Sequence, residues 1–237
     1  MSPAGEDDYR DRPIRTFGRT GGRQLSPRQQ RLIDTGLDRW RVPLSGDTPL
    51  DPASLFEAAG DVWLEIGFGG GEHLVAQAKA HPETGFIGCE PFVEGVAKAL
   101  TGIEDKQLAN VRLWPDDARV LVDRLETASI ARVFILFPDP WPKRRQQKRR
   151  LVQPDFVAAL HRILRPGGQL RFATDVASYA DEALLTFLGQ GGFAWTARRA
   201  DDWRRPPADH VTTRYETKKL GDCDPIWYDF TRSLACG

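Results

Sequence analysis

The pattern of apolar and polar positions changes texture near residue 50. Upstream, apolar residues are sparse. From Leu50 onward, short apolar runs closed by glycine, proline or an acid alternate with stretches whose apolar positions recur every three or four residues. DVWLEIG (61–67) predicts a strand, and Leu74, Val75 and Ala78 in the following GEHLVAQAKAH predict a helix. GFIGCEP (85–91) and VEGVAKALTGI repeat that pair, and NVRLWPDDARVLVDRL (110–125) gives both again. ARVFILF (131–137) is apolar along its length but for Arg132, the mark of a strand covered on both faces, and reads as the central strand. PDFVAALHRILRPGG reads as a helix begun after Pro154 and stopped by Pro166, Gly167 and Gly168. QLRFATD (169–175) is the next strand, and a helix then runs to about Leu188. FAWTARR and PIWYDFTRSL supply two last strands. Five alternating strand–helix units imply a parallel sheet with helices on both faces, joined by right-handed crossovers. No internal repeat is visible.

Ligands of such sheets lie beyond the carboxyl ends of the strands, so the residues just after each strand carry the functional information. After strand one, Gly67, Gly69 and Gly71 form G-x-G-x-G, which lets backbone approach a ligand while the next helix presents its N-terminus. A dinucleotide fingerprint requires glycine where this chain has Glu72, so the pyrophosphate fingerprint is broken. Acids stand at the strand ends instead: Glu65 within strand one, Glu90 after strand two, Asp116 and Asp117 after strand three. Carboxylates repel phosphate but suit ribose hydroxyls, an amino group and a positive charge. S-adenosylmethionine carries all three. Glu90 is expected to accept from the ribose hydroxyls, Asp117 from the adenine amino group, and Glu65 to lie beside the methionine moiety.

Strand four runs into FPDPWPK, where Pro138, Pro140 and Pro142 stiffen the rim on which Asp139 and Trp141 stand. Asp139 suits the N1–H and 2-amino donors of guanine. Trp141 reads either as core packing or as a wall or stacking surface. Lys143, Arg144, Arg145, Lys148, Arg149 and Arg150 then crowd together with no intervening acid, a pattern for phosphate contact. Asp175 ends strand five. Thr213, Arg214, Tyr215 and Glu216 sit in a polar loop before the last strand, either as plain surface or as a reader of a base edge and a phosphate.

Charge sharpens this picture. Lys+Arg and Asp+Glu both number 33, so no global field draws the chain to a polyanion, and any nucleic-acid site is local. Cys89, Cys223 and Cys236 are scattered, without metal-ligand spacing, which suits a reducing cytoplasm. The N-terminus opens on acids and no long apolar run follows, so neither export nor membrane insertion is expected. His73, His81, His161 and His210 form no metal-like cluster, and no hydrolytic triad stands out. Residues 1–50 read as an arginine-rich, partly flexible extension, and 51–237 as the catalytic domain. A monomer is the default expectation.

EIGFGGGEH, GCEPF, FPDPWPKRRQQKRRLVQP, LRPGGQLRFATD and TRYE together resemble the bacterial tRNA (guanine-N7-)-methyltransferase family, whose members methylate a variable-loop guanosine conventionally numbered 46. The resemblance spans Asp61 to Glu216, with a weaker echo from Arg12 to Gln30. It implies a Rossmann-like class I S-adenosylmethionine-dependent methyltransferase fold with a mostly parallel seven-stranded sheet. It puts the cofactor on Glu65, Glu90, Asp117 and Asp139, and the tRNA substrate on Lys143, Asp175 and Thr213, Arg214, Tyr215 and Glu216. Arg145, Lys148, Arg149 and Arg150 are implied RNA contacts, and Asp139 the catalytic residue. Gln146 and Gln147 depart from the histidine or asparagine common in the family, and EPF from its usual tripeptide after strand two. A methyltransferase for another RNA base is the alternative; a nicotinamide oxidoreductase conflicts with Glu72.

Overall fold

In the computed structural model, residues 24–44, 46, 48–57 and 60–233 are described. Arg10, Arg12, Arg15, Arg19 and Arg23 of the arginine-rich segment lie outside them. Strands β1 (Asp61–Ile66), β2 (Thr84–Cys89), β3 (Val111–Trp114), β4 (Ile130–Leu136), β5 (Leu164–Thr174), β6 (Phe193–Trp195) and β7 (Ile226–Arg232) form one seven-stranded sheet in the order β3-β2-β1-β4-β5-β7-β6. The first five are parallel, and β7 is antiparallel to both β5 and β6. The apolar-rich segment 131–137 is the middle strand, as its pattern predicts.

Side-chain alternation explains the two cores. Val62, Leu64, Ile66, Ile87, Cys89, Val133 and Ile135 enter one cluster with residues of α5 (Ala118–Arg124), α6 (Pro154–Ile163) and α7 (Ala177–Gly189). Phe86, Val111 and Leu113 point the other way, against α3 (Glu72–Ala80) and α4 (Val93–Asp105). That face of β1 also carries Glu65, a buried carboxylate set between Gly88 of β2 and Phe134 of β4.

Packing onto the sheet begins well before the boundary expected near residue 50. Ser26 caps α1 (Pro27–Arg31) through a reciprocal capping box with Gln29. The chain passes through a π-helical turn into α2 (Leu37–Trp40). Leu32, Leu37 and Trp40 are buried in the cluster under α4, and Arg28 reaches Glu104 at 2.6 Å and Asp105 at 2.5 Å. The Val42 N–H then donates to the Leu113 carbonyl at 2.9 Å.

One expected boundary is corrected. Helix α6 ends at Ile163, ahead of the Pro-Gly-Gly, because Leu164 already pairs with Ile130 as part of β5. The register then jumps to Arg132 opposite Gln169, so Arg165–Gly168 bulge outward, with Gly167 at φ 74° where only glycine is unstrained. Among the described residues no helix is long and apolar enough to cross a membrane, and no group of three metal-ligating side chains occurs.

Candidate active site

The register lines up the strand ends. Ile66 pairs with Cys89, Cys89 with Trp114, Ile66 with Ile135, and Leu136 with Ala173, so the loops after β1 to β5 emerge along one edge. The chain crosses from one side of β1 to the other between β3 and β4, and a crevice opens there. Because β7 runs antiparallel, with Ile226 opposite Thr174, the segment before it returns to the same edge. That is why the Thr213–Glu216 loop stands beside the others.

The glycine loop shows what its glycines do. Gly67 (φ 75°) and Gly69 (φ 54°) occupy the left-handed region, and a Cβ on either would meet nothing within 4 Å. Open space stands over this turn, where a ligand would lie. Below it the packing is tight: a Cβ on Gly71 would approach the Ala99 Cβ to 2.7 Å, and one on Gly95 would approach the Gly69 carbonyl oxygen to 2.3 Å. Gly95, in the first turn of α4, therefore sets how low the loop can sit. Its sequence context, a glycine inside a helical pattern, was the available signal.

The acids fall into different situations. Glu90 accepts from the Gly69 N–H at 2.8 Å and the Phe92 N–H at 3.0 Å, bracing the glycine loop against the end of β2. Burial outweighs those two bonds and, with the nearby charge of Asp139, raises its carboxyl to about 7. Glu65 is buried with Oε2 2.7 Å from Nδ1 of His73, whose ring meets Phe134 edge-on at 4.8 Å. His73 is not legible as this partner in the sequence, because it stands eight residues from Glu65 on the other side of the glycine turn and belongs to no histidine cluster.

Asp117 stands beside the same strand end as Glu90: the Cys89 thiol is pushed up by burial, then by the charges of Asp117 and Glu90. Its carboxylate is turned to its own helix, however. Oδ1 caps α5 through the Arg119 N–H and accepts from Arg119 Nε, both at 2.9 Å, while Arg119 Nη2 lies 2.5 Å from Oδ2. The expected adenine contact thus competes with an ion pair.

Phe137 continues the ladder by donating to the Ala173 carbonyl at 2.8 Å, then turns at φ 51°, and Trp141 follows at φ 41°. Both are bulky residues in the left-handed region, a conformation that costs about 1–3 kcal/mol each and persists only where the surroundings enforce it. The turn at Phe137 sets its ring between Tyr215 (5.7 Å) and Trp227 (5.5 Å) and leaves Asp139 exposed on the rim. Tyr215 has its hydroxyl pushed up by burial, then by the charges of Asp175 and Asp139. Asp139 therefore acts electrostatically on Glu90 on one side and Tyr215 on the other. Asp175 is buried, and Gly221 rests so close that a Cβ there would come 2.0 Å from the Asp175 carbonyl oxygen.

The Thr213–Glu216 loop is pinned from within. Glu216 accepts from the Thr213 N–H at 2.9 Å and its hydroxyl at 3.0 Å, and lies 2.7 Å from His210 Nε2. Its carboxylate is occupied in shaping the loop, while Arg214 is exposed. Asp209, one residue before His210, is gripped by Arg171 at 2.6 Å and Arg132 at 3.0 Å, and its carbonyl accepts from Gln77 of α3 at 2.8 Å. Asp209 was not legible as an anchor, because its partners come from three distant elements, whereas His210 is held by Glu216 of its own loop.

Lys143, Arg145 and Lys148 are exposed on the 3₁₀ turn Arg144–Arg149 or just before it, and the Arg149 guanidinium lies 5.1 Å over the Trp141 ring. Trp141 is thus neither core nor a fully open surface. Arg150 corrects the expectation of six exposed cations: its side chain has no exposure, donates to the Pro140 carbonyl at 2.8 Å and pairs with Glu182.

A parallel sheet with one antiparallel strand near its edge, an acid-rimmed glycine loop with room above it and a stiff strand-four rim define a class I S-adenosylmethionine-dependent methyltransferase. A family model described as "Putative methyltransferase" matches residues 59–227. Of known structures, a 16S rRNA (adenine(1408)-N(1))-methyltransferase mutant from Catenulisporales acidiphilia superposes with a TM-score of 0.53 at 15% identity, covering 82% of this chain and 98% of that one. The antibiotic-resistance methyltransferase Kmr gives 0.53 at 16%, over 77% and 91%. These likenesses carry the fold. Closer in sequence is the tRNA (guanine-N(7)-)-methyltransferase of Hyphomonas neptunium, 62% identical over 92% of this chain and 99% of that protein. Proteins of the same name from Caulobacter vibrioides (54%, over 93% and 96%) and Rhodospirillum rubrum (49%, over 87% and 82%) are also similar. The chain belongs to the bacterial tRNA (guanine-N(7)-)-methyltransferase family.

Proposed function

We propose that this protein transfers a methyl group from S-adenosylmethionine to N7 of guanosine 46 in the variable loop of tRNA. The observation that carries this reading is Asp139, exposed on the rim after β4 with its charge raising both Glu90 beside the glycine loop and Tyr215 on the returning loop. The glycine loop and its acids fit the cofactor: space above Gly67 and Gly69, and carboxylates for hydroxyl and ammonium groups.

When bound, S-adenosylmethionine supplies an electrophilic methyl group on a sulfonium sulfur. Guanine N7 carries a lone pair and no proton, so the chain needs no general base, and its contribution is orientation. Glu90 accepts from the ribose hydroxyls while bracing Gly69; Asp117 serves the adenine amino group once released from Arg119. Glu65, held by His73, faces the methionine end. Asp139 accepts from guanine N1–H and the 2-amino group, fixing the base edge opposite N7. Asp175, Thr213, Arg214 and Tyr215 complete the base side, with Glu216 shaping their loop. Lys143, Arg145, Lys148 and Arg149 neutralise phosphates, with arginines upstream of Ser26 as further contacts. The enzyme acts as a monomer in the cytoplasm, where tRNA is modified.

The test is incubation with methyl-labelled S-adenosylmethionine and a tRNA transcript carrying guanosine 46, then nucleoside identification by mass spectrometry. Label in 7-methylguanosine that disappears when guanosine 46 is changed to adenosine supports the proposal. Label in another nucleoside moves the target and overturns it.

A further inference from the structure

The basic run contains one residue that cannot do what its neighbours do. Arg150 sits in a cluster of exposed cations, yet it is among the largest fully buried side chains of the protein. Its guanidinium is spent on protein. Nε donates to the Pro140 carbonyl at 2.8 Å, Nη2 to the Ser178 hydroxyl at 2.9 Å, and Nη1 to the Ser178 carbonyl at 3.1 Å and the Glu182 carboxylate. The same group lies 4.7 Å over the ring of Tyr179, and the Tyr179 hydroxyl accepts from the Val152 N–H at 3.2 Å.

These contacts join two parts of the site that the sequence separates. Pro140 is the residue after Asp139. Ser178, Tyr179 and Glu182 lie in the first turns of α7, the helix that starts two residues after Asp175. Only a planar fork with several donors reaches a carbonyl on one side and a helix on the other, and lysine offers a single point charge instead. The backbone on either side of Asp139 also needs such support, because Phe137 and Trp141 are both held at positive φ.

We infer that Arg150 is a positioning residue, a strut that fixes the Asp139 rim relative to α7 and Asp175, and not an RNA contact. Its effect on rate rests on the proposed role of Asp139; its effect on the rim does not. Displacing a reacting group by about an ångström lowers turnover by about a hundredfold, without any lost contact to substrate.

The experiment compares Arg150→Ala, Arg150→Lys and Lys148→Ala in the full-length protein, measuring tRNA affinity against salt, kcat with both substrates saturating, and hydrogen exchange over residues 137–142. Arg150→Ala is expected to lower kcat about a hundredfold and speed exchange in the rim, with tRNA affinity and its salt slope unchanged; Arg150→Lys should recover only part of the rate. Lys148→Ala is expected to reduce the salt slope by about one and leave rim exchange alone. A reduced salt slope in Arg150→Ala with normal saturated kcat would overturn the inference, as would a lower melting temperature with turnover per folded molecule and rim exchange intact. If Arg150→Ala does not fold, Glu182→Gln decides: faster rim exchange with unchanged tRNA affinity is expected, and unchanged exchange sinks the strut. Because hydrogen exchange needs no substrate, it separates failure of the strut from failure of the guanosine 46 assignment.

Discussion

The Glu90 carboxylate receives the backbone N–H of Gly69 at 2.8 Å, so the acid proposed to hold the cofactor also holds the turn over which the cofactor is proposed to lie. Loop and acid are one unit, and ionisation of the acid governs both.

Burial raises Glu90 from 4.5 to about 7, and the ionised form is the one that accepts from ribose hydroxyls. S-adenosylmethionine affinity is therefore expected to strengthen by about tenfold between about pH 6 and pH 8, as the carboxylate ionises. Stability of the ligand-free protein moves oppositely. Between 4.5 and about 7 the folded state keeps a proton that the unfolded chain releases, so this group's contribution falls as pH rises and levels off above 7. Calorimetric titrations at both pH values, with Glu90→Gln as the control that should flatten both trends, check this.

Gly95→Ala pushes a methyl group toward the Gly69 carbonyl oxygen at 2.3 Å and the Glu90 Cγ at 3.1 Å. Overpacking of this kind costs about 1–3 kcal/mol. Here the loop is the part that yields, so cofactor affinity should drop by at least about tenfold while the melting temperature changes little. A variant that binds the cofactor normally would show that the loop height is set elsewhere.

Asp139→Asn retains shape and removes charge at the rim. Single-turnover methylation with cofactor and tRNA saturating is expected to slow by about a hundredfold, the scale of a lost orienting contact. The Tyr215 hydroxyl should ionise at lower pH in this variant, because one of the two carboxylates raising it is gone. Ultraviolet titration reports that shift independently of turnover.

Arg171 is buried and bridges Asp229 at 2.8 Å and Asp209 at 2.6 Å. Arg171→Ala leaves both carboxylates, each about a third exposed, without this partner, a loss of about 1–3 kcal/mol. Denaturant unfolding should show it as a lower midpoint. Asp209→Asn should loosen the Thr213–Glu216 loop as well, raising the KM for tRNA more than that for the cofactor.

The strand–helix alternation from Asp61 to Leu188, the central place of β4 and the acids at successive strand ends were all legible, because each depends on residue type and spacing along a short stretch. The Arg165–Gly168 bulge has the sequence of a helix stop, since Pro-Gly-Gly serves both purposes and only pairing of Leu164 with Ile130 distinguishes them. Packing of Leu32, Leu37 and Trp40 was obscured by the arginines around them.

The sequence by itself determined the doubly covered parallel sheet, the glycine turn with Glu72 in place of the third fingerprint glycine, and the family, because local pattern and motif chemistry are properties of neighbouring residues. Tertiary structure alone decided which of those residues remain available. It turned β7 antiparallel so that the Thr213–Glu216 loop returns to the cleft, gave Asp209 to Arg132 and Arg171, and buried Arg150 against Pro140 and Glu182. A side chain's partner is chosen by what the fold brings within about 3 Å of it, and no spacing along the chain encodes that distance.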